Sequence, residues 1–482
     1  MHRSWLIASM ATGVALTGAM LVLAGCGGGG GPITPPPDPD PGVSAEFLAL
    51  LPAGQKGASY IGSANCKNCH EAGVNGAPKV DFAGFEGTKH SQIGVGCEQC
   101  HGPSSNHQAA PSEENILTHP RLSNAAVCGQ CHGPMASDFK NSPHAHIVED
   151  AVAGASKTCL RCHSAALRAD QIDAKLTAGA TADEIDTAIL ALSTEKMTEY
   201  KEATEACEET ASCANCHDPM KVTTHMMWSN GKQAHLRYAE TNADTTQVAP
   251  GALVKAYTTY NHSCANCHNG RGGNNTDAVL TSSTARPTYH DSNQYNMLMG
   301  MTGSELPNAP VVRQTAHASA AGQCAHCHMP NSKHTMTTAF DVSCAPCHTP
   351  GDAAARYAIR GAIEAQLVTL RTRLQNWSRT KFGDPDLWDY TSLVPVGKTA
   401  PSQALVPIEV KRARHNYYFV LRDGSFGVHN SVYTRYLLTQ ANLNLDNIGA
   451  TKMSGVKLSP AQIKAVLQFD AKKGRTSEAG EL

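Results

Sequence analysis

Aromatic side chains are scarce in this 482-residue chain, at 5% with four Trp. That is thin for a chain this long to build an ordinary core, so something other than side chains is expected to fill part of the interior. Charge of one sign is also lacking. The formal net charge is −2, and no basic stripe is visible, which argues against nucleic-acid binding. Beyond Cys26 no apolar run approaches the roughly 20 residues of a membrane-spanning helix. Cysteine outside one repeated pattern is nearly absent: of 18 cysteines only Cys26 and Cys207 stand apart. The count therefore does not describe a disulfide scaffold.

The repeated pattern is Cys-x-x-Cys-His, eight times over. The first four copies are Cys66, Cys69 and His70; Cys97, Cys100 and His101; Cys128, Cys131 and His132; and Cys159, Cys162 and His163. The last four are Cys213, Cys216 and His217; Cys264, Cys267 and His268; Cys324, Cys327 and His328; and Cys344, Cys347 and His348. Two thiols one helical turn apart can form thioethers to the two vinyl groups of one haem, and the next residue then lies under the iron as an axial ligand. Zinc ribbons also pair such cysteines, but zinc does not require the following histidine. With 23 histidines in the chain, eight chance followers have odds of roughly one in 10¹⁰ against the attachment motif. The expected cofactor is haem c, eight copies, covalently attached. Eight porphyrins answer the shortage of aromatics, and the apoprotein is expected to fold poorly. Their propionates add up to about 16 negative charges at neutral pH.

The N-terminus agrees with export. Arg3 precedes an uncharged run from Ser4 to Gly25, and Leu23-Ala24-Gly25-Cys26 resembles a bacterial lipobox. Cys26 is the expected lipidation site; an ordinary signal peptide or a retained anchor are the alternatives. Gly27 to Gly31 and the proline-rich stretch to Gly42 read as a tether. The expected location is outside the cytoplasm, at the outer membrane on either face.

The chain divides into a leader at 1–25, a tether at 26–57, a first four-motif segment at 58–180 and a linker helix at 181–212. A second four-motif segment at 213–350 and a helical region at 351–482 complete it. The first four motifs recur every 31 residues, as a duplicated unit would. Thr181 to Cys207 reads as one capped helix. Ile359, Ile363, Leu367, Leu370, Leu374 and Trp377 form the stripe of a long helix beginning near Asp352. Helices are further expected through Val410 to Val420, near Tyr433 to Ala441, and after Ser459-Pro460. The fold class is mainly α with extensive loops and few strands.

Fourteen histidines remain once the motif residues and His2 are set aside, enough to give every iron a second histidine. The favoured distal ligands are His90, His107, His144, His235, His317 and His334, followed by His225, His262 and His429. His90 and His317 each stand seven residues before a motif, and His107 and His334 six residues after a motif histidine.

The segments Tyr60 to His70, Thr88 to Ser91, Gly96 to His107, Cys324 to Pro330 and Arg414 to Asn430 resemble the multihaem cytochrome superfamily. That group includes pentahaem nitrite reductase, hydroxylamine oxidoreductase and octahaem tetrathionate reductase. The resemblance implies a multihaem cytochrome c fold with a helical C-terminal region, and distal roles for His90 and His107. Two departures stand out. Ser104 replaces a common glycine, and no Cys-x-x-Cys-Lys, the usual nitrite reductase signature, occurs. An analogue of the covalent tyrosine of hydroxylamine oxidoreductase would have to come from Tyr417, Tyr418, Tyr433 or Tyr436. The leading reading is electron transfer between other cytochromes or redox proteins, with extracellular acceptors a further option. The alternatives are an oxidoreductase for a small nitrogen or sulfur species and a subunit of a cytochrome filament. Oligomeric state is left open.

Overall fold

The computed structural model describes residues 43–146, 156–223, 236–237, 262–270, 276–281, 292–308, 315–345, 347–390, 394–453, 455 and 457–473. Cys26, His225 and His235 lie outside them. Among the described residues the chain is helical and loop-rich. Among these residues there is no strand, only an isolated bridge between His217 and Leu236, and no described helix is long and apolar enough to cross a membrane.

The C-terminal region is an ordinary packed bundle. The long helix Ile359–Phe382 buries Ile363, Leu367, Leu370 and Leu374 and ends on Gly383 in the left-handed region, where a residue without Cβ is unstrained. A shorter helix, Pro350–Tyr357, precedes it, capped by Thr349. Helices Ile408–Asp423 and Ser431–Asn447 pack against it and against each other. The last helix, Pro460–Lys472, starts with a reciprocal cap between Ser459 and Gln462. This bundle holds the largest apolar core and takes Trp388, Tyr390, Tyr417, Tyr418, Phe419 and Tyr433. The scarce aromatics are thus concentrated where no cofactor is expected.

Buried charges lock the bundle. Asp389 accepts from Arg414 Nε (2.7 Å) and Tyr418 Oη (2.6 Å). Asp470 on the last helix accepts from Arg371 Nε and Tyr417 Oη, both at 2.6 Å.

The remaining apolar clusters are smaller. Helices Ala182–Ala191 and Thr194–Cys207 form one of them with the fourth motif's helix, Lys157–His163. The single helix expected from Thr181 to Cys207 is therefore two. Thr181 caps the first as expected, but Leu192 is extended and Ser193 caps a new start by accepting from Lys196 N–H. Ser-Thr-Glu is itself a start signal, and it outcompeted the apolar periodicity running across it.

Candidate haem sites

All sixteen motif thiols and all eight motif histidines line one cavity of about 3190 Å³. A small-molecule site typically measures about 300–1,000 Å³, so the space suits several large groups together. The motifs sit on short helices such as Ser63–His70, Glu98–His101, Cys213–Cys216 and Cys324–His328. One turn of helix places both thiols and the histidine on the cavity wall.

Six motif histidines each face a second histidine across that cavity. Ring centroids are 6.2 Å apart for His70 and His107, 6.0 Å for His132 and His90, and 5.9 Å for His268 and His144. They are 6.3 Å apart for His217 and His334, and 6.2 Å for both His348 with His317 and His328 with His429. A metal-bound imidazole nitrogen lies about 2 Å from the ion, so two rings on opposite sides of one ion have centroids about 6.3 Å apart. The six spacings fit an iron in each gap. The motif histidines His101 and His163 line the same cavity.

Hydrogen bonds fix which nitrogen faces the gap. Nδ1 lies 2.9 Å from Pro78 O in His70, 2.8 Å from Leu117 O in His101 and 3.0 Å from Ser112 O in His107. It lies 2.7 Å from Val428 O in His317 and 3.0 Å from Ser332 O in His334. A carbonyl can only accept, so Nδ1 carries the proton and Nε2 keeps its lone pair for a metal. Burial favours the neutral ring that a metal requires: His144 is pushed down to about 4 by burial and then by neighbouring His268.

His262 is built differently. Its Nδ1 accepts from the backbone N–H groups of Cys264 (3.1 Å) and Ala265 (3.2 Å), which leaves the proton on Nε2. It caps the turn of the sixth motif, the reverse of the tautomer seen in the pairs. His415 Nε2 is taken by Thr302 O at 3.0 Å. Tyr417, Tyr418 and Tyr433 are buried in the bundle core, with Tyr436 packed against it, and none of the four lines the cavity.

The thiols show which motifs are neighbours. Cys66 and Cys97 are neighbours, as are Cys128 with Cys213, Cys264 with Cys324, and Cys162 with Cys267. Cys100 lies near Cys131, Cys216 near Cys264, and Cys327 near Cys344 and Cys347. The motifs therefore follow the order first, second, third, fifth, sixth, seventh, eighth, with the fourth branching from the sixth. These contacts cross the 181–212 boundary drawn from the sequence.

One functional carboxylate carries no sequence signal. Glu98, inside the second motif, is buried and accepts from the N–H groups of Ile61 (3.0 Å), Gly62 (2.7 Å) and Ser104 (3.0 Å) and from Ser104 Oγ (2.6 Å). It ties the loop before the first motif to the loop after the second. Ser104 supplies a hydroxyl that the more usual glycine could not. Gly102 is required: its φ is +76°, and a Cβ there would meet Gln55 Nε2 at 2.7 Å.

Eight Cys-x-x-Cys-His motifs on one cavity, with opposed histidines at iron-spanning distance, have the arrangement of a multihaem c-type cytochrome. Residues 53–102, spanning the first two motifs, match the family model for cytochrome c554 and c-prime. No curated protein matches the chain. Among solved structures, the undecaheme cytochrome from the S-layer of Carboxydothermus ferrireducens is similar at 19% identity and a TM-score of 0.45. The match covers 75% of this chain and 51% of that one, so this chain spans about half the length of that protein. The outer cell wall cytochrome OcwA is similar at 19% identity and a TM-score of 0.46, over 73% of this chain and 70% of that one.

Proposed function

We propose that this protein is an octahaem electron conduit, held at a membrane outside the cytoplasm by lipid on Cys26. Each of the eight motifs attaches one haem through its two cysteines, with its histidine as proximal ligand. His107, His90, His144, His334, His317 and His429 are the distal ligands opposite His70, His132, His268, His217, His348 and His328. His225 and His235 are further distal candidates. Haem iron ligated in this way supplies one-electron chemistry, with a potential set by axial ligands, burial and hydrogen bonding. The chain's own contribution is placement. Its short helices set neighbouring motifs thiol to thiol, its carbonyls orient the imidazoles, and its C-terminal bundle gives the assembly a rigid flank. The six opposed histidine pairs carry this reading, because two strong ligands on an iron favour electron transfer over substrate binding. The partners are other redox proteins or an extracellular acceptor. The tether expected at 26–57 is shorter than its bounds, because Ala45–Leu50 is a helix whose Phe47 packs with Leu51, Leu117 and Val127 and Gln55 bonds His101 O and Pro103 O; the Gly/Pro-rich stretch ahead of residue 43 sets the reach.

The test is kinetic. The fully reduced protein, mixed with soluble electron carriers or metal chelates, is expected to reoxidise rapidly without turning over nitrite, hydroxylamine or tetrathionate. Multiple turnovers on one of those molecules would make it an enzyme instead.

A further inference from the structure

The hydrogen-bond acceptors behind the paired histidines are not alike. Those of His70, His107, His317, His328 and His334 are neutral backbone carbonyls, and that of His268 is the Gln294 amide oxygen. Among the described contacts, carboxylates stand behind His348 and His429. Asp352, behind His348, is largely neutralised: its side chain is 43% exposed and both oxygens also bind Arg356 at 2.8–2.9 Å. Asp423, behind His429, is 1% exposed and lies 2.6 Å from Nδ1. Its other oxygen accepts from the N–H and hydroxyl of Ser425. Among the described residues, His429 is its one ion-pair partner. Asp423 is also the last residue of the helix Ile408–Asp423, at the negative end of the helix dipole.

A buried carboxylate draws the Nδ1 proton toward itself and makes Nε2 a stronger electron donor to whatever metal it binds. A more electron-rich ligand stabilises the oxidised metal. In low dielectric the carboxylate charge adds to this effect. We infer that Asp423 is a positioning residue that holds the iron between His328 and His429 at a lower potential than the irons whose histidines bond neutral carbonyls. The seventh motif lies between the sixth and the eighth, so this iron is a step in the path that fills late on reduction. The inference rests on the reading of His328 and His429 as one iron's ligands.

The experiment is a reductive titration of the holoprotein followed in the visible spectrum, with Asp423→Asn against the native chain. Asparagine keeps a hydrogen-bonding oxygen but removes the charge. One component of the titration is expected to move to higher potential by at least a tenfold change in its reduced-to-oxidised ratio, which is 59 mV for a one-electron couple. The spectrum should stay low-spin. Asp352→Asn should shift its component less. Ser425→Ala removes a donor from the far oxygen of Asp423 and should move the same component the other way, which keeps the test decisive if Asp423→Asn disturbs ligation. Superimposable titrations, or shifts of the opposite sign, would overturn the inference. His429→Ala separates the two levels: if it produces no high-spin iron, the ligand reading fails, whatever Asp423 does.

Discussion

Replacing Glu98 tests whether one buried carboxylate registers the first two haem motifs. Glu98→Ala strips the acceptor from three backbone N–H groups, those of Ile61, Gly62 and Ser104, while the Ser104 hydroxyl can turn elsewhere. A buried donor left without a partner costs about 1–3 kcal/mol. Taking the low end, because the vacated space can admit water, gives about 3 kcal/mol, a large share of typical domain stability. The cost should fall locally, on the loop leading into Cys66. Hydrogen exchange over residues 58–107, measured by mass spectrometry on the holoprotein, is the appropriate assay because it reads local opening. At about 1.4 kcal/mol per factor of ten, protection of that loop should drop roughly a hundredfold. Glu98→Gln retains one oxygen and should fall between, near tenfold. Unchanged exchange in Glu98→Ala would refute the claim that this carboxylate holds the loop, whatever happens elsewhere.

His144→Ala should convert one iron to high spin, because its ring faces His268 at 5.9 Å, whereas His415→Ala should leave the iron spectrum unchanged, its Nε2 being occupied by Thr302 O. Asp389→Ala should destabilise the C-terminal bundle by about 3–5 kcal/mol, the cost of leaving a buried partner charge uncompensated, with the haem count intact. The same group sets an acid limit. Burial alone would raise the Asp389 carboxyl, but Arg414 and Lys473 hold it below the ordinary range. Its contribution is therefore full above the unfolded value of about 3.9 and is lost as pH falls from there through the lower folded value, which thermal melts of the bundle across pH 2–6 would follow. Intact mass under denaturing conditions should exceed the polypeptide and lipid by eight haems; a stable count of seven would remove one motif from the account.

The parts of this fold that are legible in the sequence are those specified locally. The Thr181 and Ser459 caps, the leucine stripe from Ile363 to Leu374 and the eight motifs each depend on residues within a turn or two of one another. The break at Leu192 is hidden by the apolar periodicity that runs across it, although Ser193 is the stronger signal and starts a new helix. Which histidine faces which motif is not a local property. His144 meets His268 and His429 meets His328 only after long stretches of chain fold back, so spacing nominates candidates and gives no pairing. The branching order of the motifs is hidden for the same reason, since Cys128 neighbours Cys213 rather than the nearer Cys159. Glu98 had no signal, because a glutamate inside a Cys-x-x-Cys pair looks like any variable residue until its four donors are seen.

An iron is expected in each of the six histidine gaps. Low-temperature electron paramagnetic resonance of the oxidised holoprotein tests it most directly. Low-spin signals are expected from at least six irons of eight, with no high-spin component larger than the second and fourth motifs together could supply. High-spin signal from three or more irons, in the native chain at neutral pH, would contradict it.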